Sequence, residues 1–223
     1  MSPDVLIRYA PSLVSGFGVT VLCWSLGGAL GVALGFVVAL LQRLRFAPLN
    51  WLLRAFIEAF RGTPFLVQLF LLYAGGPYLG IKLSATAAGV VGLGVYSSAY
   101  FAEIFRAGFA AVPVGQVEAA LSVGMTPRDA MLRVTLPAAL IAAVPPIINM
   151  LIVLSKETVV LSIITVPELM YQMQTMAAET FTAFDAIFAM AAFYWLLVEA
   201  TSRLGRRVEA RVTAFLAEEA RPA

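Results

Sequence analysis

GQVEAALSVGMTPRDAMLRVTLPAAL, residues 115–140, is a polar and heavily punctuated stretch in a chain of 223 residues that is otherwise mostly apolar. Pro113 and Gly115 break whatever helix precedes it. Residues 116–123 then suit a short helix, and Gly124 stands where a left-handed C-cap is wanted. Thr126, Pro127 and Asp129 follow as N-cap, first-turn proline and third-position acid, the capping-box order for a second helix running toward Pro137. Each cap contributes on the order of 1 kcal/mol. The stretch is therefore specified as a rigid helical corner, a shape suited to passing force from one body to another.

Around this corner the composition is that of a membrane protein. Hydrophobic residues make up 61% of the chain and charged residues 13%, against about 45–50% and about 25% in soluble domains. A helix needs about 20 uncharged residues to cross the hydrocarbon layer. Charge-free runs lie between Arg8 and Arg43, Arg61 and Lys82, Lys82 and Glu103, and Arg133 and Lys156. A shorter run, residues 187–202, carries Glu199 near its end, read as an interfacial or protein-facing carboxylate. The expectation is an all-α membrane protein with five transmembrane helices, in one domain over residues 1–223. Asp4 and the length of the first run argue against a cleaved signal peptide, and no alternating strand pattern indicates a barrel.

Basic residues fix the expected orientation. With five spans drawn, Arg43, Arg45, Arg54, Arg61, Arg106, Arg128, Arg133, Arg203, Arg206, Arg207, Arg211 and Arg221 fall on one side. Only Arg8, Lys82 and Lys156 remain for the other. The positive-inside rule then puts the N-terminus outside and the C-terminus in the cytoplasm, making the corner at residues 113–136 cytoplasmic. The net charge of +2 reflects this asymmetry and gives no sign of nucleic-acid binding.

Gly27, Gly31 and Gly35 recur every four residues, a spacing that lets two helix backbones approach closely; the competing reading is simply a glycine-rich membrane helix. Residues 51–60 form an amphipathic interfacial stretch, with Arg54 and Glu58 placed to pair. Thr63 and Pro64 then open a new helix that carries Gln68 into the membrane. Residues 74–80, AGGPYLG, read as a turn, and Glu103 and Arg106 as an ion pair. Pro145 and Pro146 are expected to kink or interrupt the fourth span and to place a cavity near Asn149.

An amide at membrane depth is costly unless it faces protein or water. Gln68 and Asn149 are therefore candidates for lining a pathway, the alternative being bonds between helices. Residues 155–174, with Lys156, Glu157 and Thr158, are expected to line or cap its outer half. Lys156 and Glu157 either contact a zwitterionic solute or pair with neighbours. Glu168 and Glu179 read as loop carboxylates, potential docking points, and Met170, Met173 and Met176 as packing.

Histidine is absent and Cys23 is the single cysteine. That removes histidine-based catalysis, disulfide frameworks and cysteine metal clusters, so no catalytic residue, metal site or bound cofactor is expected. Ser155 and Lys156 are the one cheap nucleophile and base pair, and adjacency on a helix turns them apart. A secondary transporter would more often show further spans, inverted repeats and a coupling-ion site.

Residues 118–137 resemble the signature loop of bacterial ABC importer permeases. Glu118, Ala119 and Ala120 are followed by Gly124, then by Val134, Leu136 and Pro137 at that family's spacing, with valine in place of the usual isoleucine. RGTPFLVQLFLLY, YFAEIFRAGFAAVPVGQVEAA and PPIINMLIVLSKETVV are similar to its polar amino acid branch. The resemblance implies a type I importer permease fold and a subunit of the bacterial inner membrane. It implies pairing with a second copy or a paralogous permease, and solute delivery by an extracytoplasmic binding protein. It also makes Glu118, Ala119, Ala120 and Gly124 the coupling helix lodged in an ATPase. The chain lacks a glycine-rich lysine motif for phosphate, so ATP and magnesium would belong to the partner. Implied substrates are polar amino acids, with opines or ectoine-like zwitterions as alternatives.

Overall fold

A computed structural model describes residues 3–44 and 46–219, which contain no strand. Arg45 and Arg221, two of the basic residues counted above, lie outside the described residues. In chain order the helices are α1 (Pro3–Leu41), α2 (Ala47–Gly62), α3 (Phe65–Phe70), α4 (Ala85–Ala110), α5 (Val114–Ser122), α6 (Pro127–Ala130), α7 (Leu136–Glu157), α8 (Leu169–Thr180) and α9 (Ala183–Glu219). A π turn (Leu71–Gly75) and a 3-10 turn (Gly76–Leu79) extend α3, a π turn (Met131–Thr135) joins α6 to α7, and a 3-10 turn (Thr158–Ile164) extends α7.

Four stretches are long and apolar enough to cross a bilayer: Ile7–Leu41, Ala85–Ala110, Pro127–Ile164 and Ala183–Arg211. The expected second span corresponds to Phe65–Leu79, which joins α2 across a bend of 108° to make a fifth candidate. That bend follows from Thr63 and Pro64, both in extended conformation between two helices. The last span is much longer than its charge-free run, because Glu199 accepts from Arg203 at 2.7 Å and Arg206 at 3.4 Å within the same helix.

Close backbone approach holds the spans together. A methyl group on Gly27 would sit 2.7 Å from Leu93 Cβ, on Gly31 2.0 Å from Ser97 Oγ, and on Gly35 2.5 Å from Phe101 Cβ. The glycine stripe is thus the seat of α4, and because both numbers climb together α1 and α4 run parallel. By the same logic α7 is antiparallel to α4, with Gly108 against Ala139 and Gly89 against Leu161. It is antiparallel to α9 too, with Gly205 against Ile148 and Tyr194 bonded to Thr158 at 3.2 Å. The C-terminal ends of α1, α4 and α9 therefore share one end of the molecule, the end that carries α5.

Phe101, Leu69, Leu93, Leu154 and Leu161 fill the main core, and Trp24 Nε1 donates to Leu151 O at 2.8 Å to tie α1 to α7. A second cluster joins α8 to α1 and α9 at the opposite end, with Met173 and Met176 buried as packing residues.

Of the expected kink or interruption, the interruption does not occur: Pro145 and Pro146 lie inside a continuous α7. Their fixed φ is helical, so only the carbonyls four residues back lose donors. Pro146 borders a cavity and Ala142 is exposed, a setting in which water can satisfy a freed carbonyl. The helix departs from α geometry at the π turn before Leu136 and the 3-10 turn after Glu157 instead.

Candidate coupling helix and membrane cavity

α5 is a nine-residue helix, Val114–Ser122, that begins two residues before the expected start and takes Gly115 into its first turn, while its C-terminal end is fixed at Gly124 as the sequence indicates. Gly124 has φ of +88°, a conformation that costs other residues about 1–2 kcal/mol. At this turn Val123 N donates to Ala119 O at 3.1 Å, and Met125 N to Ala120 O at 3.1 Å. Thr126 Oγ1 then accepts from Asp129 N at 3.2 Å, while its hydroxyl donates to Asp129 Oδ2 at 2.6 Å. The acid thus serves the threonine hydroxyl rather than the threonine backbone, so half of the expected capping box forms.

The second helix does not stop near Pro137. α6 passes through the π turn into α7, and Pro137 is the second residue of α7, directly after that turn. The corner is thereby joined to the membrane span by a continuous helical rod.

Glu118, Ala119 and Gly124 are exposed, and Val123 stands 76% exposed beside them. Ala120 departs from the expected grouping: it is 6% exposed and turned inward. Val117, Ala130, Met131 and Thr135 line the groove under this helix. Its small side chain lets α5 seat on its own support, so the face open to a partner consists of Glu118, Ala119, Ser122 and Val123.

A cavity of about 360 Å³ lies where the sequence places one, lined by Asn149 and Pro146 of α7, Tyr100 and Glu103 of α4, and Arg61 of α2. Glu103 holds Arg106 at 2.7 Å and faces Arg61 at 4.0 Å, and the Arg61 guanidinium lies 5.4 Å from the centre of the Tyr100 ring. Both charge signs thus stand beside an aromatic face and an amide. The signal for α4 was in the sequence: Tyr96, Tyr100 and Glu103 form one polar stripe at helical spacing.

Of the other expected pathway residues none joins this cavity. Gln68 folds back, its Nε2 donating to Phe60 O at 2.9 Å, Thr63 O at 3.0 Å and Thr63 Oγ1 at 2.8 Å. It pins the elbow between α2 and α3. Thr158 is fully buried, donating to Ser155 O at 2.7 Å. Lys156 is exposed in a separate groove beside Tyr194 and Trp195, and half-buried Glu157 makes no ion pair with it. Ser155 is buried and donates to Ile152 O, away from Lys156. Arg54 and Glu58 likewise remain unpaired with one another.

Glu168 is the clearest departure, fully buried rather than a surface carboxylate. It caps α8 by accepting from Met170 N at 2.9 Å and Tyr171 N at 2.8 Å, and meets the Thr20 hydroxyl at 3.3 Å and the Tyr194 hydroxyl at 3.4 Å. Glu179 accepts from the Tyr9 hydroxyl at the surface.

Residues 31–214 match the family described as binding-protein-dependent transport system inner membrane component. The chain belongs to that family. With several apolar helices of spanning length, this family member is a multi-pass membrane protein. It is 36% identical to the probable glutamine ABC transporter permease protein GlnM of Bacillus subtilis, over 88% of this chain and 91% of that one. It is 33% identical to the L-cystine transport system permease protein TcyB of the same organism, over 93% and 89%. A solved amino acid ABC transporter crystallised with histidines superposes with a TM-score of 0.87 at 37% identity, covering 92% of this chain and 96% of that one.

Proposed function

We propose that this chain is the permease subunit of an ATP-driven importer of polar amino acids, and that α5 is the element through which a separate ATPase subunit drives it. The observation that carries the reading is mechanical. An exposed face that includes Glu118, Ala119, Ser122 and Val123 sits on a helix locked at Gly124 and Thr126 and continuous, through α6, with the span that borders the Asn149 cavity. When the ATPase pair closes, Glu118 and Ala119 move with it, α5 and α6 turn as one body, and α7 swings relative to α4. The cavity changes sides by rearrangement of rigid helices, and the chain itself performs no bond chemistry.

In this reading the α5 end faces the cytoplasm of a bacterial cell, consistent with the arginines gathered there. ATP and magnesium stay on the ATPase. A second copy of the chain, or a paralogous permease, closes the open side of the cavity, and an extracytoplasmic binding protein delivers solute at the α8 end. The substrate class rests on the names borne by the relatives and on the paired charges at the cavity, which suit a zwitterion; opines and ectoine-like solutes are the competing class.

The test is uptake by proteoliposomes containing the permease, its ATPase and its binding protein. Glu118→Lys and Gly124→Val should leave assembly in the membrane intact and reduce ATP-driven uptake at least tenfold. Undiminished uptake by both variants contradicts the assignment. Thermal shift of the binding protein against amino acids, opines and ectoine decides the substrate class.

A further inference from the structure

A second polar cavity, of about 290 Å³, lies at the α5 end of the molecule and is separate from the Asn149 cavity. Its lining includes Gln42 and Arg43 after α1, Asn50 and Arg54 on α2, and Arg106 and Phe109 on α4. The Asn50 Nδ2 group donates to Leu44 O at 2.8 Å and fastens α2 to the turn after α1. Arg43 is held over the Phe109 ring at 4.6 Å. Arg106 is already matched by Glu103, whereas Arg43 and Arg54 have no ion pair among the described residues and no acid lines the cavity. Gln42 Oε1 and Asn50 Oδ1 are buried acceptors without a partner. The cavity thus combines two guanidinium groups that lack a direct ion pair with two amide side chains, Gln42 and Asn50, whose oxygens have no donor.

The complement is a phosphate group carrying its own hydrogen-bond donors. Its surroundings say where such a group comes from. The apolar spans Ile7–Leu41 and Ala85–Ala110 both end at this cavity, which places it at the level of lipid headgroups. Beside it Leu44 is 52%, Phe46 61%, Trp51 73% and Leu52 59% exposed, an apolar rim of the kind that lies against acyl chains. Basic pockets between spanning helices at a membrane surface suit anionic headgroups.

We infer that this cavity binds the phosphodiester headgroup of an anionic glycerol phospholipid, with Arg43 and Arg54 on the phosphate and the headgroup hydroxyls donating to Gln42 and Asn50. The site bridges α1, α2 and the end of α4, three residues before α5 begins. An occupied site therefore braces the root of the coupling corner. The inference does not depend on which solute the chain carries.

Native mass spectrometry of the full chain in detergent, titrated separately with phosphatidylglycerol, phosphatidic acid and phosphatidylcholine, tests it. One phosphatidylglycerol should bind about tenfold more tightly than phosphatidylcholine, and Arg54→Gln should abolish that preference, since a tenfold difference is on the scale of one charged hydrogen bond. Arg54 makes no direct ion pair among the described residues and only adds to the field on Glu103, so this variant should fold; Arg43→Lys, which keeps the charge, should retain most of the binding. Phosphatidic acid, which lacks headgroup hydroxyls, should bind more weakly than phosphatidylglycerol, and Gln42→Leu should narrow that gap. Equal binding of phosphatidylglycerol and phosphatidylcholine, or a preference untouched in Arg54→Gln, overturns the site. Displacement of the lipid by about 10 mM inorganic phosphate, or loss of the site once the ATPase is bound, overturns the lipid as occupant.

Discussion

Single atoms decide much of this structure. The Gly31 position has no room for a side chain, because a methyl there would overlap the Ser97 hydroxyl, itself held to Leu93 O at 2.7 Å. Gly31→Val should therefore destabilise the protein by about 1–3 kcal/mol, read as a lower thermal midpoint in detergent. Gly18→Ala, on the same helix with nothing within 4 Å, should be neutral or slightly stabilising. Glu168 gives a second case. Glu168→Ala strands the Met170 and Tyr171 amides and removes the cap of α8, which should cost about 2–4 kcal/mol. Glu168→Gln keeps one acceptor and should lose clearly less in the same thermal measurement.

Residue by residue, legibility followed locality. Gly124, Thr126 and the Gly27, Gly31 and Gly35 stripe could be read because a cap or a small-residue face is written within a few positions. Thr158 and Glu168 could not, since their roles depend on Tyr194 and Thr20, partners brought together only by packing, and Gln68 could not because its bonds to nearby Phe60 and Thr63 need a bend whose direction no local signal gives. Ala120 shows the same limit on a finer scale: the motif marks the helix but not which side of it meets the rest of the chain.

Among the elements, the elbow between α2 and α3 carries a specific prediction. The Gln68 amide reaches three acceptors across the bend, so Gln68→Leu should raise hydrogen exchange at residues 60–68 while leaving α4 unchanged; equal protection in both proteins would show that Pro64 alone sets the bend. The fate of α7 illustrates how a local rule yields to context. Two adjacent prolines suggest a break, yet the helix runs on where an open cavity tolerates their freed carbonyls. The π turn at Met131–Thr135, by contrast, left no composition signal.

For the whole molecule, parallel α1, α4 and α9 and antiparallel α7 set the coupling corner and the C-terminal end of the last span together, with α8 at the far end. Composition and charge spacing were enough for the all-helical membrane class, and the motif for the corner. The broken second span, at 108° to α2, was beyond them because charge spacing measures the length of a run and not its direction. The proposed transmission of force needs the α5 face to be gripped and leaves the opposite face for solute delivery.

The most direct check is site-specific cross-linking in the assembled transporter. Ala119→Cys should cross-link to the ATPase subunit, with a yield that changes when ATP is added. Tyr78→Cys, 92% exposed at the opposite end, should not. A cross-link to the ATPase from Tyr78→Cys and none from Ala119→Cys would contradict the account.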